Sequence, residues 1–204
     1  MKDLKTWGIL FVALLCIAIA TPVKAGIPTD RIRQTADQVL VILQDPRLKS
    51  EGSQKERREH LRQTISARFD FDEMAKRSLG PQWQRATPGE QQEFVMLFTD
   101  LLQSSYADQI EAYKGEKIVY SREKQDKDSA EVDTKVVKKN GEELSVNYKL
   151  HSANGDWKVY DVIIENISLV NNYRSQFNHV LAKSSINDLL NRMRSKQFDA
   201  SGKK

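Results

Sequence analysis

The feature that most restricts the fold of this chain is a change of hydrophobic period at Lys114-Gly115. Before it, apolar residues recur at steps of three and four. From Ile118 to Ile164 they alternate with polar ones, and after Ser168 the helical step returns. A period near 3.6 gathers apolar side chains on one stripe of a helix, whereas a period of 2 puts them on one face of a strand. Helices, then strands in direct succession, then helices again describe an α+β domain, because strands with no helix between them pair antiparallel.

Start and stop signals divide the first helical region. Pro28 and Thr29 open a pattern with Ile32, Ala36, Val39, Leu40 and Leu43 on one face, closed by Asp45-Pro46. A polar stretch, Ser50-Glu51-Gly52-Ser53, leads to a second helix that carries Leu61 and Ile65. Asp70 stands three residues before Glu73, the capping-box spacing, and the short helix it starts ends at Gly80-Pro81. Thr87-Pro88-Gly89-Glu90 is a stronger start, and behind it Phe94, Leu97, Phe98, Leu101, Leu102, Tyr106, Ile110 and Tyr113 form one broad stripe.

The strands follow as Ile118 and Tyr120, then Val132, Thr134 and Val136, then Leu144, Val146, Tyr148 and Leu150. Asn140-Gly141 predicts a two-residue hairpin turn, and Asn154-Gly155 predicts another before the strand from Trp157 to Ile164. That strand is partly apolar on both faces, which predicts a central position covered on each side. Leu169, Tyr173, Phe177, Val180 and Leu181 then lie on a helix with Ser168 as N-cap. A final helix from Ser184 or Ser185 carries Ile186, Leu189, Leu190 and Met193, and the polar tail from Lys196 is expected to fray. The expected architecture is N-terminal helices, an antiparallel sheet of four to five strands with one face covered, and C-terminal helices.

The N-terminus has the order of a cleavable secretory leader. Lys2 and Lys5 precede an apolar run from Trp7 to Ala20, and Thr21-Pro22-Val23-Lys24-Ala25 closes it, so residues 1–25 are expected to be removed after Ala25. The run is shorter than the roughly 20 residues that span a bilayer. Cys16 lies inside it behind Leu15, not behind the small residue that a lipoprotein site requires, so residues 26–204 hold no thiol, disulfide or cysteine-based metal site. The remaining chain of about 180 residues makes one domain, large enough to bury about 70% of its unfolded surface. Three lysines and one aspartate leave with the leader, which lowers the formal charge from +4 to +2. Basic and acidic residues alternate, as in Lys55-Glu56-Arg57-Arg58-Glu59, so a solvated surface is expected and nucleic acid is not an expected partner.

Catalytic patterns are lacking. The three histidines, His60, His151 and His179, have no second ligand at metal spacing, no Gly-x-Ser-x-Gly turn presents a nucleophile, and no glycine loop cradles phosphate. Asp70, Asp72 and Glu73 suit the start of a helix better than general acid–base work. Asp161, an acid in an apolar strand, requires a partner, with Arg174 or a helix-end amide as alternatives. Neither enzyme activity nor a resident cofactor or metal is expected.

Two segments carry a family resemblance. One is Phe69-Asp70-Phe71-Asp72-Glu73-Met74-Ala75 through Leu79-Gly80-Pro81-Gln82-Trp83, running on to Phe94, Phe98, Leu101, Leu102 and Tyr106. The other is Trp157-Lys158-Val159-Tyr160-Asp161-Val162, then Glu165-Asn166-Ile167-Ser168-Leu169-Val170 and Asn172-Tyr173-Arg174-Ser175-Gln176-Phe177. With the leader, their order and spacing resemble the MlaC, or toluene-tolerance, family of periplasmic phospholipid-binding proteins, from Thr29 to about Met193. Asn166 stands where that family commonly has glycine, and asparagine tolerates the same left-handed backbone.

The resemblance implies a monomeric carrier in the periplasm. It would move phospholipid as cargo between an outer-membrane lipoprotein complex and an inner-membrane ABC transporter with a lipid-binding ring, and so maintain outer-membrane lipid asymmetry. Its fold would enclose an apolar pocket for acyl chains, with the headgroup at the mouth. A two-chain lipid exposes about 30 methylene groups, worth roughly 24 kcal/mol in water at ~0.8 kcal/mol each, so crossing an aqueous space requires a protein that hides them. The inward faces offer Phe94, Phe98, Leu101, Tyr106, Val146, Tyr148, Leu150, Val162, Ile164, Tyr173 and Phe177 as lining, although each also suits a plain core. Arg174 is the headgroup candidate, with Arg77 and Arg85 as alternatives. Two other readings are an exported adaptor with a filled core and a carrier of a different envelope lipid, such as a hopanoid.

Overall fold

The computed structural model describes residues 26–198 apart from Lys114. The expected leader, its expected cleavage after Ala25 and Cys16 lie outside the described residues. Four helices come first: α1 (Ile27–Gln44), α2 (Gln54–Arg68), α3 (Phe71–Leu79) and α4 (Pro88–Glu111). Strands β1 (Lys117–Asp126), β2 (Ser129–Val137), β3 (Glu143–Ala153), β4 (Asp156–Ile164) and β5 (Ile167–Ser168) follow, then α5 (Leu169–Leu181) and α6 (Ile186–Arg194). The domain is α+β, as the periods require.

Local chemistry fixes the helix starts. Thr87 and Glu90 form a full capping box at α4, and Ser185 forms another with Asp188 at α6. At α3 only half of the box exists: the Glu73 amide donates to Asp70 (2.9 Å), while the Glu73 carboxylate pairs with Arg77 (2.7 Å). α1 starts at Gly26, which has no side chain to offer, and the free Thr29 amide donates instead to Glu123 on β1 (2.8 Å). Asp161 takes the second of its two expected partners. It accepts from the Val170 amide (3.1 Å) at the start of α5 and from the Ser168 hydroxyl (2.6 Å).

The sheet is a meander in the order β1-β2-β3-β4-β5, antiparallel throughout. β4 is covered on both faces but is not central. Among the described residues its outer edge meets only the two-residue β5 and a parallel bridge from Phe69 to Val159. Asn154 (φ 53°) and Gly155 (φ 79°) make the expected two-residue turn with both residues left-handed. Asn140-Gly141 does not. Only Gly141 is left-handed (φ 86°), and the loop is longer, closed by the Lys138 amide donating to Glu142 (2.9 Å). Asn166 is left-handed (φ 66°), the conformation it was expected to tolerate.

Two apolar regions result. In the helical region Phe94 and Phe98 of α4 meet Tyr173 and Phe177 of α5, with Met74, Leu79, Leu189 and Leu190 around them. Phe198 packs edge-on against Phe177 at 5.4 Å, so the chain beyond Lys196 makes an apolar contact with α5. In the sheet region Ile32 of α1 lies with Ala130, Val132, Leu150, Trp157, Val159, Val162 and Leu169. Beside it the buried Arg68 at the end of α2 pairs with Asp156 (3.0 Å), donates to the Trp157 carbonyl and reaches Thr35 of α1 (3.2 Å).

Candidate functional site

Burial along the inner sheet face changes in the same sense on three strands. On β2, Ala130, Val132 and Thr134 are buried and Val136 is half-buried. On β3, Leu150 is buried, whereas Tyr148, Val146 and Leu144 are half-buried; on β4, Trp157, Val159 and Val162 are buried and Ile164 is half-buried. The register sets Val136 against Leu144 and Ile118, and Val146 against Ile164, so the incompletely covered residues share one end of the sheet. Tyr120 belongs to the same row. The opposing stripe of α1 beyond Ile32 repeats the gradient, with Val39, Leu40 and Leu43 half-buried, as are Tyr106 and Ile110 of α4.

The tyrosines in and beside this row lie deep. Burial pushes the phenols of Tyr148, Tyr120 and Tyr106 up to about 12, yet each keeps accessible surface. Arg33 of α1 stacks over the Tyr120 ring at 4.4 Å. One end of the sheet region is therefore sealed, by Ile32 and the Arg68 network, and the other is an apolar surface that the protein itself covers only in part.

The residues expected to line a pocket separate into groups. Phe94, Phe98, Tyr173 and Phe177 have no accessible surface, and their rings contact one another at 5.3–5.9 Å, so they sit in the filled helical region. Leu150 and Val162 lie at or beside the sealed end. Val146, Tyr148 and Ile164 belong to the half-buried row, Tyr106 of α4 borders it, and Leu101 is half-buried against the helical region. Arg174 is elsewhere: on α5, its Nε donates to the Arg77 carbonyl (2.8 Å), which ties α5 to the last turn of α3. Arg77 pairs with Glu73 and covers the Tyr160 ring at 4.1 Å, and Arg85 is exposed after α3. The Nε of Arg174, the headgroup candidate, is therefore committed to the seam between α5 and α3.

A charged cavity of about 410 Å³ lies where the end of α1, the start of α2, the end of α4 and the approach to β1 converge. Leu43, Lys49, Arg57, Glu111, Tyr113 and Gly115 line it. Arg57 donates to Glu111 (2.7 Å) and to the Leu48 carbonyl (3.0 Å), and Arg58 donates to the same Glu111 (2.6 Å) and to Asp108 (2.7 Å). Burial raises the Glu111 carboxyl, but the hydrogen bonds and charges of the two arginines outweigh it and hold the group below the usual carboxylate range. The alternating charges of this run have the pattern of a solvated surface. The signal for Arg57 was its place four residues before the buried Leu61, which puts it on the packed face of α2.

Among the described residues no group of three or more His, Cys, Asp or Glu side chains is placed to hold a metal ion, and no helix is long and apolar enough to cross a membrane.

Comparison with known proteins agrees with this architecture. The "Intermembrane phospholipid transport system binding protein MlaC" of Haemophilus influenzae is 21% identical over 198 residues, 94% of this chain and 92% of that protein. The "Toluene tolerance protein ttg2D" of Pseudomonas putida is 28% identical over 187 residues, covering 89% of this chain and 86% of that protein. A phospholipid-binding protein of Ralstonia solanacearum, solved in complex with a phospholipid, superimposes with a TM-score of 0.75 at 26% identity, covering 83% of this chain and 96% of that one. A family model described as MlaC protein matches residues 33–195, and on that extent of match the chain belongs to the MlaC family.

Proposed function

We propose that this protein is a phospholipid carrier: it binds a phospholipid with the acyl chains in the space between the half-buried end of the sheet and the facing stripes of α1 and α4. The observation that carries the reading is the row Tyr120, Val136, Leu144, Val146, Tyr148 and Ile164, apolar, inward-facing and left partly uncovered. A filled core would bury such residues at no loss, as the helical half does. Leaving them accessible forgoes about 25 cal/mol per Å² of apolar surface, which is explained if a second apolar body covers them in the working state. A solved relative that holds a phospholipid supports the same choice of cargo.

Family membership and the aqueous barrier support a finer route. The carrier would be exported by its leader, act in the periplasm, and pass lipid between an outer-membrane lipoprotein complex and an inner-membrane ABC transporter with a lipid-binding ring. It would do so as a monomer and without covalent chemistry. Solvent extraction of the purified protein followed by mass spectrometry tests the reading. About one equivalent of glycerophospholipid is the expected result. Repeated absence of lipid with no uptake from vesicles would overturn it, and recovery of a hopanoid would redirect it to another envelope lipid.

A further inference from the structure

We infer that the charged cavity bounded by α1, α2, α4 and β1 is a phosphate subsite, in which Arg57 and Lys49 hold the phosphodiester of the bound lipid and Glu111 is the protein's own stand-in for that anion. The inference rests on the carrier reading and goes beyond it by assigning the end from which chains enter and the groups that select the head.

Position comes first. The sealed end of the sheet region is closed by Ile32, Trp157 and the Arg68 network. The half-buried row faces the opposite end, where Leu43 closes the apolar stripe of α1 and Gly115 leads into β1. A lipid whose chains lie along the row therefore has its head at the cavity, whose volume of about 410 Å³ falls within the roughly 300–1,000 Å³ of small-ligand sites.

Charge and hydrogen bonding come second. Among the described residues the lining carries two cations, Lys49 and Arg57, and one carboxylate, Glu111. Lys49 is exposed and makes no ion pair among the described residues. Arg57 is only 17% exposed and Glu111 11%, and such half-buried pairs add little net stability, because desolvation offsets the attraction. The pair is also redundant from one side, since Glu111 retains Arg58 when Arg57 turns away. Arg57 Nε is enclosed and has no hydrogen-bond partner among the described residues, so its present partners do not use all its donors. An arginine held by a carboxylate that has a second cation in reserve can exchange that carboxylate for a phosphate, which accepts the same paired N–H donors, without stranding a charge.

The exchange predicts opposite effects for the two partners. Lipid-stripped protein is mixed with phosphatidylcholine vesicles doped with chain-labelled phosphatidylglycerol, phosphatidylethanolamine or diacylglycerol, the last of which lacks phosphate. The wild type should prefer both phospholipids to diacylglycerol by about tenfold, the size of one charge-assisted hydrogen bond. Arg57→Gln should erase most of that preference while uptake of diacylglycerol persists, and Lys49→Gln, at an exposed position, should reduce it. Glu111→Gln should strengthen it, because the competing anion is gone; a merely structural pair would weaken binding in both directions. Equal uptake of diacylglycerol by the wild type, an unchanged preference in both Arg57→Gln and Lys49→Gln, or a weaker one in Glu111→Gln would overturn the inference and leave the carrier reading standing. Arg57-dependent binding of inorganic phosphate alone, with no headgroup preference, would mark a free-anion site and also overturn it. No uptake of any lipid by the wild type would bring down the carrier reading and this inference together.

Discussion

The helical half and the sheet half of this molecule are both apolar and differ in how completely they are packed. Between α3, α4, α5 and α6, aromatic rings meet edge-on or stacked at 5.3–5.9 Å and keep no accessible surface. Between the sheet and α1, only the end next to Ile32 is sealed, and apolar residues on β1 to β4 stay half-buried toward the other end. The contrast separates two uses of hydrophobic surface. In the first, protein covers protein and the gain goes into folding. In the second, part of the surface is left for a partner, and the filled half supplies the stability that permits this.

Substitutions can break or sharpen that contrast. The largest loss is expected from Phe98→Ala, which opens a void among Phe94, Tyr173 and Phe177 and should cost about 3–5 kcal/mol in urea unfolding, with lipid bound per folded molecule unchanged. Lipid loss at unaltered stability would invert the comparison. Asp161→Ala removes the acceptor of the Val170 amide and the Ser168 hydroxyl, and should cost about 1–3 kcal/mol by the same measurement with lipid content again retained. Val146→Trp reverses the pattern. Filling partly open space should change stability by less than the roughly 1–3 kcal/mol of overpacking a core, while bound lipid falls severalfold in extracts. If melting dropped as far as lipid did, Val146 would be core.

The smallest effect is expected from acid. The carboxyl of Glu111 lies below its ordinary value of 4.5 in the folded protein, so its pairing with Arg57 and Arg58 stabilises fully above about pH 4.5 and is lost as pH falls through the lower folded value. Glu111→Gln should remove that part of the acid dependence in equilibrium unfolding, and an unchanged profile would show that the pair is uncoupled from folding.

Much of the fold was legible because it is locally determined. The period change at Lys114-Gly115 separates helices from strands, and Asp70, Thr87 and Ser168 cap the helices they were expected to cap, since capping depends only on residues three apart. What escaped depends on chain brought in from elsewhere. The amide that Gly26 leaves uncapped is met by Glu123, 94 residues from Thr29. Asn140-Gly141 has the composition of a tight turn but sits in a wider loop. Phe98 and Tyr106 lie on one stripe of α4, two turns apart, yet the first is sealed by α5 and the second borders the half-buried row, a difference that periodicity does not encode. Arg57 was hidden in a run of alternating charge, and only the position of Leu61 marked its inward face.

The central claim is that acyl chains occupy the half-buried row and not the aromatic core. A phospholipid with a photoactivatable group in its acyl chain, bound and then irradiated, tests it directly when the labelled peptides are sequenced by mass spectrometry. The account predicts label on β3 around Val146 and Tyr148, on β4 at Ile164, and on α1 and α4 near Leu40 and Tyr106. Label concentrated at Phe94, Phe98, Tyr173 and Phe177, with none on β3, would contradict it.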